Sequence, residues 1–133
     1  MNDQIAIQTQ TRIEVVNVTK QLQERVGGIE DGLALFYLPH TSAALLISED
    51  DEELRQDFVR TAENWLANLR PFAHVRNDNP NTEAHILSAF GGTQITVAIS
   101  DGSFDLGRYQ QILLLELDGP KTREIRSKIM KSG

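Results

Sequence analysis

LALFYLPHTSAALLIS, residues 33–48, decides the fold. Two nearly continuous apolar runs, LALFYL and SAALLIS, are joined by Pro39 and His40, and runs of this length bounded by turn residues read as strands buried on both faces. The pair is therefore expected at the centre of a sheet, with His40 at the strand junction. Upstream, Ile5, Ile7, Thr9, Thr11, Ile13 and Val15 occupy alternate positions, which predicts one long opening strand. Thr19 is placed to cap a short helix carrying Leu22 and Val26, ended by Gly27 and Gly28 through a left-handed residue. Downstream, Ser48 with Asp51 resembles a capping box, and the acidic run EDDEE suits the positive end of a helix. The long helix it opens carries Leu54, Phe58, Ala62, Trp65, Leu66 and Leu69 as one apolar stripe and stops before Pro71. A shorter helix runs from a cap at Asn81 or Thr82 through HILSAF to Gly91 and Gly92. The remainder reads as strands: TQITVAIS, the turn DGSFDLG, the run QILLLEL, the turn DGPK, and a terminal strand around Ile125 and Ile129. The expected fold is α+β, an antiparallel or mixed sheet packed with two main helices.

A chain of 133 residues, 40% of them apolar, suits one domain spanning residues 1–133. It has no cysteine. Disulfides, thiolate zinc sites and thiol nucleophiles are excluded, so any metal must be held by nitrogen and oxygen. A net charge of −6 argues against non-specific binding to nucleic acid. No apolar stretch approaches the roughly 20 residues that span a bilayer, and MNDQIAIQTQ lacks the apolar core of a signal peptide. A soluble, cytoplasmic protein with no membrane partner is expected.

All three histidines fall in two polar neighbourhoods: His40 closes FYLPH, while His74 and His85 bracket HVRNDNPNTEAH with Asp78 and Asn81. Imidazole is the commonest metal ligand and the side chain best suited to exchange protons near neutral pH. His40, His74 and His85 are accordingly candidate metal ligands, with Asp78 either binding the metal or orienting an imidazole. His85 falls in a first helical turn, where the helix dipole disfavours the imidazolium and leaves the neutral ring a metal requires. The plainer readings are that His40 bonds to backbone or solvent and that Asn81 is a helix cap. The spacing of His74 and His85 is not the pattern that puts two ligands on one helical face. Glu49, Asp50 and Asp51 suit a helix start, Asp101 in DGSFDLG either shapes a turn or presents a carboxylate, and Arg123 beside the DGP turn suits a phosphate.

Together PHTSA, SEDDEE with Asp57, HVRNDNPNTEAH, DGSFDLGRYQQI and ELDGPKTR resemble, over nearly the whole chain, the YjbQ or UPF0047 family, also called secondary thiamine-phosphate synthase enzymes. The resemblance implies a small α+β protein, usually a homotrimer, with a polar site built from the histidines and nearby acidic residues. It implies His40, Glu49 and Asp101 as catalytic residues, Glu49 on resemblance alone. It further implies Thr41, Asn81, Gln110 and Arg123 as contacts to a small phosphorylated metabolite. Two segments depart from the family pattern: Arg108 and Tyr109 stand before Gln110 where Thr or Ser and Trp are usual, and Lys121 and Thr122 precede Arg123.

The implied activity, weak or secondary in the family, joins a hydroxymethylpyrimidine diphosphate to a thiazole phosphate and releases pyrophosphate. A divalent metal with Arg123 would neutralise the departing pyrophosphate while His40 or His74 manages a nearby proton, so loss of either imidazole is expected to remove activity. Imidazole favours zinc, nickel or iron, whereas magnesium in diphosphate chemistry is held by carboxylates and substrate oxygens. That mismatch keeps two alternatives open: a metal-dependent hydrolase or transferase acting on another phosphorylated or acyl metabolite, and a non-catalytic trimeric protein binding a metal or small ligand.

Overall fold

The structure, a computed structural model, describes residues 3–74 and 81–132. In chain order these form β1 (Gln4–Gln8), β2 (Glu14–Asn17), α1 (Thr19–Arg25), β3 (Gly32–Tyr37), β4 (Ala43–Ser48), α2 (Glu52–Asn64), α3 (Thr82–Gly91), β5 (Gln94–Ser100), β6 (Ser103–Phe104), β7 (Gln111–Glu116) and β8 (Thr122–Lys131). A single 3-10 turn, Ala67–Leu69, follows α2.

Two sheets result, one ordered β1-β8-β3-β5-β6 and the other β2-β7-β4, with every pairing antiparallel. Phe36, Ala34, Val97, Ile99 and Ile125 from the first sheet meet Ala43, Leu45, Ile112 and Leu114 from the second, and Leu22 of α1 joins that layer. The opposite face of the second sheet presents Val15, Ala44, Leu113 and Leu115 to Ala62 and Phe58 of α2 and to Ala84 and Leu87 of α3. Strand β7 explains the run QILLLEL: alternate residues enter two different cores, so Ile112 through Leu117 are all buried. Each such leucine contributes about 1.5–3 kcal/mol by leaving water. None of the helices among the described residues is long and apolar enough to cross a membrane.

The α+β, single-domain reading holds, with α1 the expected short helix and α2 and α3 the two main ones. Several local expectations change. LALFYL and SAALLIS are not one central pair: β3 lies between β8 and β5 in the first sheet, whereas β4 is an edge strand of the second. Residues 39–42 carry the chain from one sheet to the other, which run length alone does not reveal. The single opening strand is two strands in different sheets. The Glu14 carboxylate accepts from the amides of Gln10 and Thr11 at 2.5 and 2.7 Å and turns the chain there, while the period-two pattern continues across the bend. Val18 rather than Thr19 caps α1, and the Thr19 hydroxyl instead accepts from the Ile112 amide at 2.8 Å. Ser48 ends β4, and Asp51 caps α2 by accepting from the Leu54 amide at 2.7 Å. Trp65 and Leu69 leave the apolar stripe and are 61% and 58% exposed, because α2 ends at Asn64.

Candidate functional site

The crossover at residues 39–42 lies at the end of the sandwich where β7 finishes and β8 begins, since Ala43 pairs with Glu116. A buried ion pair sets its shape. Glu116 is fully buried and Arg123 is 2% exposed. The guanidinium donates to both carboxylate oxygens of Glu116, and its Nη2 donates to Ser42 O and Oγ, each at 2.9 Å. Glu116 also accepts from the Thr9 hydroxyl at 2.7 Å and from the amides of Leu117 and Asp118 at 3.0 Å. Burial opposes ionisation of this carboxyl, but the bonds from Arg123, the Asp118 amide and Thr9 outweigh it and hold the acid below the ordinary glutamate range. Arg123, expected at a phosphate, is thus buried against Glu116 and Ser42 and acts on the site by holding its crossover loop.

From that loop the Thr41 carbonyl accepts from His85 Nδ1 at 2.8 Å. A carbonyl cannot donate, so Nδ1 carries the proton and Nε2 of the neutral ring keeps its lone pair. This is the arrangement of a metal-binding histidine oriented by a backbone carbonyl. The His74 ring stands nearly perpendicular to that of His85, centroids 5.5 Å apart. The Thr82 hydroxyl donates to the His74 carbonyl at 2.5 Å and anchors that segment to the start of α3. Phe72, Ala73, His74, Thr82, His85 and Ile86 line an open cleft of about 350 Å³. A larger cavity of about 480 Å³, on another face of α3 beside Glu83 and Leu87, contains no histidine. The imidazole geometry makes the smaller cleft the better candidate for chemistry.

His40 joins the same loop differently, since its Nε2 accepts from the Glu124 amide at 2.9 Å. Burial, then the nearby Arg123 charge, lowers its proton affinity below that of an ordinary histidine. Asn81 precedes α3 without a side-chain cap bond, and its Nδ2 donates to Asp118 at 3.2 Å. Asp78 lies outside the described residues. Among the described residues no three histidine or acidic side chains converge as a metal-binding group.

Glu49, Gln110 and Asp101 lie elsewhere. Ser48 pairs with Gln111 and Gly32 with Ile99, so Glu49 and Gln110 stand at the far end of the second sheet and Asp101 at the far end of the first. Glu49 and Asp101 are exposed, and Asp101 adopts φ 51° in the turn between β5 and β6. The Gln110 side chain accepts from the Gly107 amide at 2.7 Å and closes its own loop. Nearby, Asp50 accepts from Arg55 at 2.6 and 2.7 Å and from Asn17 at 2.9 Å. The hydrogen bond from Arg55 holds this carboxyl below its usual range. One chain therefore gathers His40, Thr41, His74, Asn81, His85 and Arg123 at one end and leaves the other three at the opposite end.

A model of the family described as UPF0047 protein YjbQ-like matches residues 3–132. The chain belongs to this family. A UPF0047 protein of Archaeoglobus fulgidus is 35% identical over 122 residues, covering 92% of this chain and 95% of its own length. The UPF0047 protein YugU of Bacillus subtilis is 33% identical, covering 95% and 96%. Among solved structures, a YbjQ-like protein of unknown function from Sulfolobus solfataricus superposes with a TM-score of 0.90 at 29% identity, covering 98% of this chain and 96% of that one. A hypothetical protein from Aeropyrum pernix gives 0.89 at 29%, covering 97% of both chains. This YjbQ-like chain thus shares fold and length with its relatives.

Glu116, Ser42, Thr9 and Asp118 escape a sequence reading of the site. Glu116 carries one usable signal: a lone carboxylate inside QILLLEL must be buried, and a buried charge requires partners. Acid should reveal it. Glu116, Asp50 and His40 all bind protons less readily when folded than when unfolded. Their contribution is complete above their unfolded pKa values and is lost as pH falls through the lower folded-state values. Urea denaturation at a series of pH values is expected to show stability falling below about pH 6.5 through His40 and more steeply below about pH 4.3 through the carboxyls. Unchanged stability down to about pH 3 would contradict this.

Proposed function

We propose that the His74–His85 end of the sandwich binds a divalent cation with a small phosphorylated metabolite. In this reading the chain is a transferase able to form thiamine phosphate as a weak or secondary activity. The observation that carries the reading is the His85 ring, held through Nδ1 by the Thr41 carbonyl so that its Nε2 lone pair is left free, with the His74 ring centroid 5.5 Å away. Zinc, nickel or iron fits such nitrogen donors; magnesium would draw more on carboxylates and substrate oxygens. When bound, the cation supplies positive charge that offsets the charge developing on a diphosphate leaving group.

In this reaction the bond between the pyrimidine methylene carbon and the diphosphate oxygen breaks, and its electron pair leaves with pyrophosphate. The thiazole nitrogen lone pair makes the new carbon–nitrogen bond. Thr41 orients His85, the Arg123–Glu116 pair fixes the crossover, and Phe72 and Ile86 give the cleft apolar walls. A homotrimer belongs to this proposal: within one chain Glu49, Asp101 and Gln110 stand away from the histidines, and a neighbouring copy could bring them to the cleft. A cytoplasmic location goes with it, matching a phosphorylated substrate and a chain without cysteine.

The imidazole pair also favours a second reading, a metal-dependent hydrolase or transferase acting on another phosphorylated or acyl compound. Incubation of purified protein with the pyrimidine diphosphate and thiazole phosphate separates the two. Thiamine phosphate formation that falls roughly 100-fold in His74→Ala and His85→Ala, with unchanged circular dichroism, is expected. Undiminished formation in both variants, or none in the wild type with metal bound, would overturn the thiamine reading.

A further inference from the structure

We propose that His40 is an anion-binding residue that presents a protonated Nδ1 to a phosphate oxygen of the metabolite, rather than a metal ligand or a base. The inference rests on the reading of this end of the sandwich as the ligand site. Pairing of β8 with β3 stops at Tyr37 and Arg126, so on that side the Glu124 amide has no strand partner. His40 Nε2 supplies the missing acceptor at 2.9 Å. An amide only donates, so the Nε2 lone pair is occupied and the proton of the neutral ring must sit on Nδ1. Turning the ring over would set a carbon against the amide and leave a backbone donor unsatisfied.

Among the described residues no hydrogen bond engages His40 Nδ1, and the residue is only half-buried. His85 is the contrasting case: it holds its proton on the same ring atom but gives that proton to Thr41, leaving a lone pair outward. One crossover loop thus fixes one imidazole that offers an N–H and another that offers a lone pair. The first suits a phosphate oxygen, the second a cation. Burial, then the Arg123 charge, lowers the proton affinity of His40, which favours the neutral ring that the Glu124 bond requires.

The test separates this role from that of satisfying Glu124. Glutamine can place an acceptor where Nε2 stands, whereas asparagine can place an N–H where Nδ1 stands. Calorimetric titration of the full-length protein with pyrophosphate is expected to show His40→Gln folded but binding about tenfold more weakly. His40→Asn should bind within about threefold of wild type. Nitrogen-15 spectra of the wild-type imidazole should show Nε2 unprotonated and Nδ1 protonated. Wild-type affinity in His40→Gln, or a proton on Nε2, overturns the proposal while leaving the metal reading standing. No pyrophosphate binding by the wild type overturns this proposal and the phosphate reading beneath it, whereas metal content reports on the cation alone.

Discussion

Replacing Glu116 by leucine is expected to lower unfolding free energy by about 3–5 kcal/mol, because it strands the Arg123 guanidinium in an interior where it is 2% exposed. The cost comes from the charge left behind. The double variant Glu116→Leu, Arg123→Met should therefore recover most of the loss, since a buried pair exchanged for apolar residues of similar volume is often neutral or better. Recovery of stability need not restore the site. Arg123 also holds Ser42 at 2.9 Å, so the double variant should fold yet bind metal and pyrophosphate less well. Urea denaturation of wild type and the two variants checks the first claim. A loss below about 1 kcal/mol in the single variant would mean that the pair behaves like a surface salt bridge.

Gly119→Ala should also destabilise the fold, for a different reason. A Cβ at this position would lie 2.4 Å from the Thr11 carbonyl oxygen, 2.8 Å from Glu116 Cγ and 2.9 Å from Thr9 Oγ1. The nearest obstacle is backbone at the bend between β1 and β2, which cannot swing aside as a long side chain can. The Gly119 amide also donates to the Arg12 carbonyl at 2.9 Å, tying the DGP turn to that bend. Overpacking of about 1–3 kcal/mol or more is expected, together with loss of the Thr9 bond to Glu116. Gly28→Ala provides the comparison: nothing lies within 4 Å of its Cβ, although φ is +90°. Its cost should be confined to the backbone, about 1–2 kcal/mol. Equal thermal and urea midpoints for Gly119→Ala and wild type would refute the crowding argument.

The elements of the fold were legible wherever side chains report directly on what covers them. Apolar runs marked β4 and β7, helical spacing marked α2, and Gly91 and Gly92 marked the end of α3. Layering was less legible, because a bend that preserves the period of two, as between Ile7 and Val15, does not disturb the pattern. A crossover between sheets likewise looks the same as a turn within one. For the site, residue type pointed to the histidines and to the loop at residues 39–42, and the structure places His40, His74, His85, Thr41, Asn81 and Arg123 at one end. Roles were harder to read. Which nitrogen of each imidazole is free depends on single backbone groups, the Thr41 carbonyl and the Glu124 amide, that no side-chain pattern records. Arg123 looked like a phosphate ligand because its burial partner Glu116 was concealed in an apolar run. Glu49, Asp101 and Gln110 share the family's motifs, yet strand register separates them from the histidines within one chain.

The central claim is that His74 and His85 hold a divalent cation, and metal content per subunit measured by mass spectrometry on untagged protein tests it most directly. Wild type is expected to carry zinc, nickel or iron near one equivalent per subunit, and a folded His74→Ala, His85→Ala variant is expected to carry almost none. Wild type and variant with the same metal content, or neither with any, would contradict the account.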